Sequence, residues 1–347
     1  MDLRVLFGEC LGGCFGCSDL SQPQTSTDVD LAGKVVIVTG GNRGIGFSMV
    51  QSFARRGAKV HLAARSKERA LEAITRLQSE GLEPGNGEVR WLELDLALPS
   101  KVRQSAESFL KEERRLDILV NSAGRIDSPY TIGYGGIEES MIVNHIGPFI
   151  LTKALLPLMA ETARLPGADV RIIVMTSIAM SVLKDHEVHF RSIDDVNRSY
   201  IGVTYPGGQP KDSMMRYAQS KLANALYAKH LQKTLDAVHV PITVMAVHPG
   251  YVWTEGFADA PVNNQRIVGP LFAAFFRATF LDMAQGARTP VFAATSPLVA
   301  ERREEYRGAY VVPFGKVERP PHPQAESAGL AKELWETTEG IIRSWGL

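Results

Sequence analysis

Two side chains, Tyr217 and Lys221, form the only Tyr-x3-Lys in the chain, within RYAQSKLANALYAKHL. On a helix this spacing places them on one face. The bland alternative is a solvated surface pair. Chemistry offers another use. A free phenol ionises at about pH 10, too high for proton exchange at neutral pH. A neighbouring ammonium favours the phenolate and brings that value down. A tyrosine tuned in this way can donate a proton to a carbonyl being reduced. A second polar group is needed to fix such a carbonyl. Ser177, at the end of DVRIIVMTS, is a candidate, although a serine at a strand end is commonly just a turn residue.

A second constellation is VIVTGGNRGIGFSMV, with glycines at 40, 44 and 46. Glycines there permit a tight turn and close backbone approach to a pyrophosphate, while the helix that follows presents free N–H groups and a positive dipole end. Three glycines alone also fit an ordinary turn. The succession of strand, loop, helix and second strand favours a dinucleotide. An NAD site usually has an acid at the end of its second strand for the ribose 2′-hydroxyl. Here HLAARS puts Ala64 in that place, followed by Arg65, and Arg43 lies inside the glycine loop. Two guanidinium groups suit a 2′-phosphate, so NADP(H) is expected in preference to NAD(H). Two solvated surface arginines are the competing reading.

A third cluster is Cys10, Cys14 and Cys17, the only cysteines. Three thiolates can ligate a cubane cluster and leave one iron open. Such a cluster enzyme would need a different fold around it.

The elements that must position these residues follow from periodicity. Short β-branched runs at 34–40, 58–65, 88–96, 116–124, 169–177, 241–250 and 308–314 read as strands. Helical patterns cover 44–56, 67–80, 99–113, 136–160 and 214–235. Strands alternating with crossover helices predict an α/β fold: one Rossmann-type, doubly wound, parallel seven-stranded sheet with helices on both faces. Residues 1–30 read as a poorly ordered extension ahead of a domain spanning 31–347. The composition is ordinary for a globular protein and the net charge is zero, which removes the simplest argument for nucleic acid or an anionic membrane. No apolar stretch is long enough to span a bilayer, and VGPLFAAFFRATF is short and broken by Arg277. No zinc-like spacing is visible, so no metal is expected.

These motifs together resemble the short-chain dehydrogenase/reductase family, whose glycine loop is T-G-x3-G-x-G. The resemblance assigns Thr39, Gly40, Arg43, Gly44, Ile45 and Gly46 to the cofactor, with Arg65 beside them. It places Asp95, followed by Leu96, at the adenine. Asn121, Ala123 and Gly124 match its N-N-A-G, with Ser122 replacing the second Asn. Ser177, Tyr217 and Lys221 match its catalytic group, with Lys221 also bonding the nicotinamide ribose. Asn144, in MIVNHIGPF, would hold a water that links Lys221 to solvent. HPGYVWT matches P-G-x-V-x-T, so Pro249, Gly250, Val252 and Thr254 would cradle the carboxamide.

One departure is the forty-residue gap between Ser177 and Tyr217. With the HPG segment it resembles the retinol-dehydrogenase-like and WW-domain-oxidoreductase-like branch, and GAYVVPFGK and KELWETTEGII resemble fungal members of it. Substrate-loop insertions are expected at about 180–213 and 254–283. Met180, Tyr251, Trp253, Phe257 and 265–283 would wall an apolar pocket, although 265–283 equally reads as a packed helix. The resemblance implies NADP(H)-dependent interconversion of a lipophilic ketone or aldehyde with its alcohol, such as a tailoring reduction in secondary metabolism. A non-catalytic NADPH-binding sensor or scaffold is the alternative. The expected partner is a small carbonyl or alcohol, not nucleic acid. A homodimer through 136–160 and 214–235 is open. A cytoplasmic location is expected, with peripheral membrane contact open through the amino-terminal segment and its cysteines, which could accept palmitate.

Overall fold

The structure, a computed structural model, describes residues 29–126, 129–204, 211–252 and 280–347. The amino-terminal cysteines, Trp253, Thr254, Phe257 and most of the second expected insertion lie outside these residues.

The strands are β1 (Val35–Thr39), β2 (Lys59–Ala64), β3 (Val89–Glu93), β4 (Ile118–Asn121), β5 (Val170–Met175), β6 (Ile242–Val247), β7 (Tyr310–Val312) and β8 (Lys316–Glu318). They form one sheet in the order β3-β2-β1-β4-β5-β6-β7-β8. The expected seven-stranded parallel sheet is therefore corrected to eight strands: β8 folds back antiparallel on β7, pairing Tyr310 with Glu318 and Val312 with Lys316. The sequence hid this strand because it has three residues, two of them exposed charges. Charge suits an edge, where it discourages further strand pairing.

Among the described residues, seven long helices cover the sheet: α1 (Gly44–Ala54), α2 (Lys67–Ser79), α3 (Pro99–Glu112), α4 (Glu139–Ala163), α5 (Asp212–Ala237), α6 (Met283–Thr295) and α7 (Ala328–Ser344). Strand residues alternate between two cores. Val35 and Ile37 face the layer with Phe109, Phe149, Leu226 and Leu334 from α3, α4, α5 and α7. Val36 and Val38 face Phe53, Leu77 and Phe292 from α1, α2 and α6. Burial on both faces explains the unbroken apolar strands of the sequence.

Helix α4 corrects a second expectation. It is long and apolar enough to cross a membrane by length and composition, but 72% of its most apolar window is buried inside the fold. It is a core helix. Its middle, Ile142–Ile146, is a π turn. The outer face of α4 and α5, where pairing between two copies is left open by the sequence, carries α7. His145 meets Thr338 at 3.0 Å, Lys153 pairs with Glu339 at 2.8 Å, and Trp335 packs edge-on against Phe149.

The sheet order reverses at β1, which sends β2 and β3 one way and β4 onward the other. Ligand sites in such sheets lie at the carboxyl ends of strands flanking that switch point. Thr39, Asn121 and Ser177 all lie at carboxyl ends of strands near it.

Candidate active site

The glycine loop is built by close approach. Gly40 (φ +70°) and Gly44 (φ +57°) use conformations that side chains resist. A Cβ on Gly46 would lie 2.2 Å from the Gly40 carbonyl oxygen, so only glycine lets α1 start this close to β1. Helix α1 has no side-chain cap and no acid in its first turn. Its leading N–H groups and dipole are thus arranged to receive a phosphate. Thr39, fully buried, accepts from the Ser122 and Ala123 N–H groups at 2.9 Å each. It locks the loop to the end of β4. Ile45 is half-buried in the same turn.

Arg43 is exposed at the N-cap of α1, and Arg65 is exposed just beyond buried Ala64 at the end of β2. The Gly40 N–H donates to the Ala63 carbonyl at 2.8 Å, which keeps the two strand ends side by side. Asp95 closes its own turn by accepting from the Ala97 N–H at 3.0 Å. Leu96 is buried and packs on Gly147 of α4, where a Cβ would fall 2.6 Å from its carbonyl oxygen. Asn121 donates to Thr152 at 3.0 Å and ties β4 to α4. These residues fit a dinucleotide bound across the switch point.

The other half of the site is held by α5. Residues three, four and seven positions after Tyr217 share its helix face: Ser220, Lys221 and Asn224. Lys221 Nζ donates to the Met175 carbonyl at 3.1 Å, and Asn224 donates to the same carbonyl at 3.1 Å. Thr176 Oγ1 donates to the Lys221 carbonyl at 2.7 Å. Helix α5 is thereby pinned to the end of β5. Tyr217 is hydrogen-bonded to Ser177, which begins the 3-10 turn Ile178–Leu183 and accepts the Ala179 N–H at 3.1 Å.

Asn144 sits in the π turn of α4. Its side chain accepts from the Arg125 N–H at 2.7 Å and donates to the Arg125 carbonyl at 3.0 Å and to Ser220 Oγ at 2.9 Å. Ser220 in turn donates to the Tyr217 carbonyl at 2.7 Å. Gly124 leaves the gap between the two helices open: a Cβ there would lie 3.3 Å from Asn144 Oδ1 and 3.5 Å from Lys221 Nζ. Motif reading passed over Ser220, Asn224 and Thr176. Helical spacing from Tyr217 could have found the first two.

The electrostatics differ from the expectation in one respect. Burial pushes Tyr217 up to about 12, and the Ser177 hydrogen bond only partly offsets this. Lys221 Nζ lies 5.4 Å from the centroid of the Tyr217 ring and is bonded to a backbone carbonyl. Burial also lowers Lys221 to about 8. Tyr217 is therefore a proton holder at neutral pH, and Lys221 is a cation close to losing its charge.

After β6, Gly250 (φ +95°) turns the chain beneath Leu281, where a Cβ would meet Leu281 Cδ1 at 2.8 Å. Pro249 is half-buried, and Val252 is buried and bridges to Leu281. His248 is buried, and its Nδ1 has no hydrogen-bond partner among the described residues. Met180 differs from its expected place: it is fully buried in the main core. An apolar residue three positions into a 3-10 turn points inward, and sequence spacing could not show which way this turn faces. Tyr251 is half-buried, 5.7 Å from Phe280 between ring centroids.

The family model described as short chain dehydrogenase matches residues 34–189. The chain is 39% identical to a short-chain dehydrogenase/reductase of Armillaria gallica over 91% of this chain and 95% of that one. It is 34% identical to retinol dehydrogenase 14 of Homo sapiens over 89% of this chain and 86% of that one. Among solved structures, an uncharacterised protein of Mycobacterium paratuberculosis superposes with a TM-score of 0.66 at 27% identity, covering 90% of this chain and 95% of that one.

Proposed function

Because the chain belongs to the short-chain dehydrogenase/reductase family, we propose that it is an NADP(H)-dependent oxidoreductase that interconverts a lipophilic ketone or aldehyde with its alcohol. The observation that carries this reading is the joining of Ser177, Tyr217, Lys221 and Asn144, from three elements, at the carboxyl edge beside the glycine loop.

Bound NADP(H) supplies or accepts the hydride. The protein does the rest. The N-terminus of α1 and the glycine loop bind the pyrophosphate, and Arg43 and Arg65 take the 2′-phosphate. Ser177 and Tyr217 share a hydrogen bond, so a carbonyl oxygen placed between them receives two donors and is oriented and polarised. Tyr217, which keeps its proton at neutral pH, delivers it to that oxygen as the carbonyl carbon is reduced. In the reverse direction it accepts the alcohol proton. Lys221 holds positive charge next to this exchange and favours the phenolate that briefly forms. Asn144 and Ser220 keep the backbone of Tyr217 and the loop at Arg125 in one register.

The Phe-, Leu- and Ala-rich sequence 265–283 supports a lipophilic substrate. Within this class, a tailoring reduction in secondary metabolism is the role proposed, and the likeness to a short-chain dehydrogenase/reductase of Armillaria gallica supports the reaction class alone. The test is turnover of NADPH with a panel of lipophilic carbonyls, beside Tyr217→Phe. Equal rates for the two proteins would overturn the mechanism. Tight NADPH binding without any turnover would point to a sensor or scaffold instead.

A further inference from the structure

The segment after Ser177 is long, and its inner residues are deeply buried: Leu183, Val188 and Phe190 are at most 1% exposed. Buried backbone groups need partners, and this stretch has no sheet to supply them. The partners come from side chains near the carboxyl terminus. Gln324 closes a two-point bond on Val188, accepting its N–H and donating to its carbonyl, both at 2.9 Å. Glu333, on α7, accepts the Phe190 N–H at 2.5 Å and pairs with Arg191 at 3.5 Å. His322 Nε2 meets the Leu183 carbonyl at 3.0 Å, while its Nδ1 accepts the Gln324 N–H at 3.2 Å.

The histidine bonds fix its form. A carbonyl can only accept and an amide N–H can only donate, so the ring must carry its proton on Nε2 and remain neutral. Burial lowers its proton affinity in the same sense. Leu183 is the last residue of the 3-10 turn that Ser177 begins. The strap therefore ends one short turn from the serine that faces Tyr217.

Resting on the oxidoreductase reading, we propose that His322, Gln324 and Glu333 form a carboxyl-terminal strap that positions the substrate side of the site and so sets specificity for the carbonyl compound. They are positioning residues and touch neither the glycine loop nor Lys221. The strap acts on the wall that follows Ser177, opposite the cofactor half. Its loss should weaken carbonyl binding and leave NADPH binding alone.

The experiment compares full-length wild type with Gln324→Ala, Gln324→Glu and Glu333→Gln. Three quantities are read: NADPH affinity by fluorescence, KM and kcat over a carbonyl panel, and amide hydrogen exchange at Val188 and Phe190. Gln324→Ala should raise the carbonyl KM by about three- to tenfold, the scale of one or two hydrogen bonds, reorder the panel and speed exchange at Val188. NADPH affinity should stay within about twofold of wild type, the scale of experimental scatter against a lost hydrogen bond. Gln324→Glu keeps the acceptor and loses the donor, so it should fall between. Glu333→Gln keeps an acceptor for the Phe190 N–H but loses the charge paired with Arg191, so it should speed exchange at Phe190 and shift the carbonyl KM less than Gln324→Ala does. An unchanged carbonyl KM with faster exchange, or a parallel fall in NADPH affinity, overturns the proposal. A wild-type protein without turnover sinks the oxidoreductase reading, and exchange at Val188 then still decides whether the strap holds the loop.

Discussion

In the proposed site, Lys221 is the residue whose charge lies nearest to changing at neutral pH. Burial brings it down to about 8, so it is charged at pH 7 and neutral above that value. If its charge favours proton transfer from Tyr217, the rate of carbonyl reduction should be level from pH 6 to 7 and fall as pH rises through about 8. A pH–rate profile checks this, and a profile that rises through the same range contradicts it. Tyr217→Phe should reduce turnover by about a hundredfold or more, the usual scale for a lost proton donor. NADPH binding should be nearly unchanged, because the hydroxyl faces Ser177. At the other end, Arg65→Ala should weaken NADPH by roughly ten- to a hundredfold, the scale of one charge-assisted hydrogen bond. NADH, which lacks the 2′-phosphate, should be little affected, and equal losses for both cofactors would remove Arg65 from the phosphate site.

Elements matter here by how closely they approach one another. Helix α1 reaches β1 only because position 46 has no side chain. Gly46→Ala pushes a methyl against the Gly40 carbonyl, and either the loop or the helix must move. The expected result is a loss of NADPH binding well before loss of the fold, measured by cofactor titration beside circular dichroism. Helix α4 is the second case. Its π turn brings Asn144 to both Arg125 and Ser220. The sequence marked Asn144 by motif but gave no sign of the π turn, because a one-residue bulge leaves the apolar pattern of a helix almost intact. The same continuity made α4 read as an ordinary helix in a chain without spanning segments, when tertiary burial is what separates it from one.

Across the whole molecule, buried neutral histidines link stability to pH. Burial lowers both His145 and His248 from 6.5 to about 4. His145 bonds Thr338 through Nε2, and although Asn224 lies beside it, Nδ1 makes no hydrogen bond of good geometry. In the unfolded chain these groups take up protons first. Their contribution is therefore complete above about pH 6.5 and is lost as pH falls toward 4. Each is worth roughly 3 kcal/mol over that window by linkage. Denaturant midpoints measured from pH 7.5 down to 4.5 should decline, and a flat series would contradict neutral burial. Helix α7 is the other global device. It covers the face of α4 and α5, so removing residues 327–347 should expose Phe149 and Tyr227 and produce self-association in light scattering. The intact chain should not pair through that face.

What the sequence determined by itself is local in origin. The buried strands announce themselves as apolar runs, the glycine loop by its spacing, and the Tyr217–Lys221 face by helical period, because each depends on neighbours a few residues away. β8 escaped because three residues, mostly charged, carry too little pattern. Only the tertiary structure could decide which way Met180 points, that Lys221 sits on the Met175 carbonyl, that burial outweighs the Ser177 hydrogen bond at Tyr217, and that residues 322–333 hold the stretch after Ser177. Those facts depend on which groups lose water together, and contacts between positions tens to more than a hundred residues apart leave no period in a single chain.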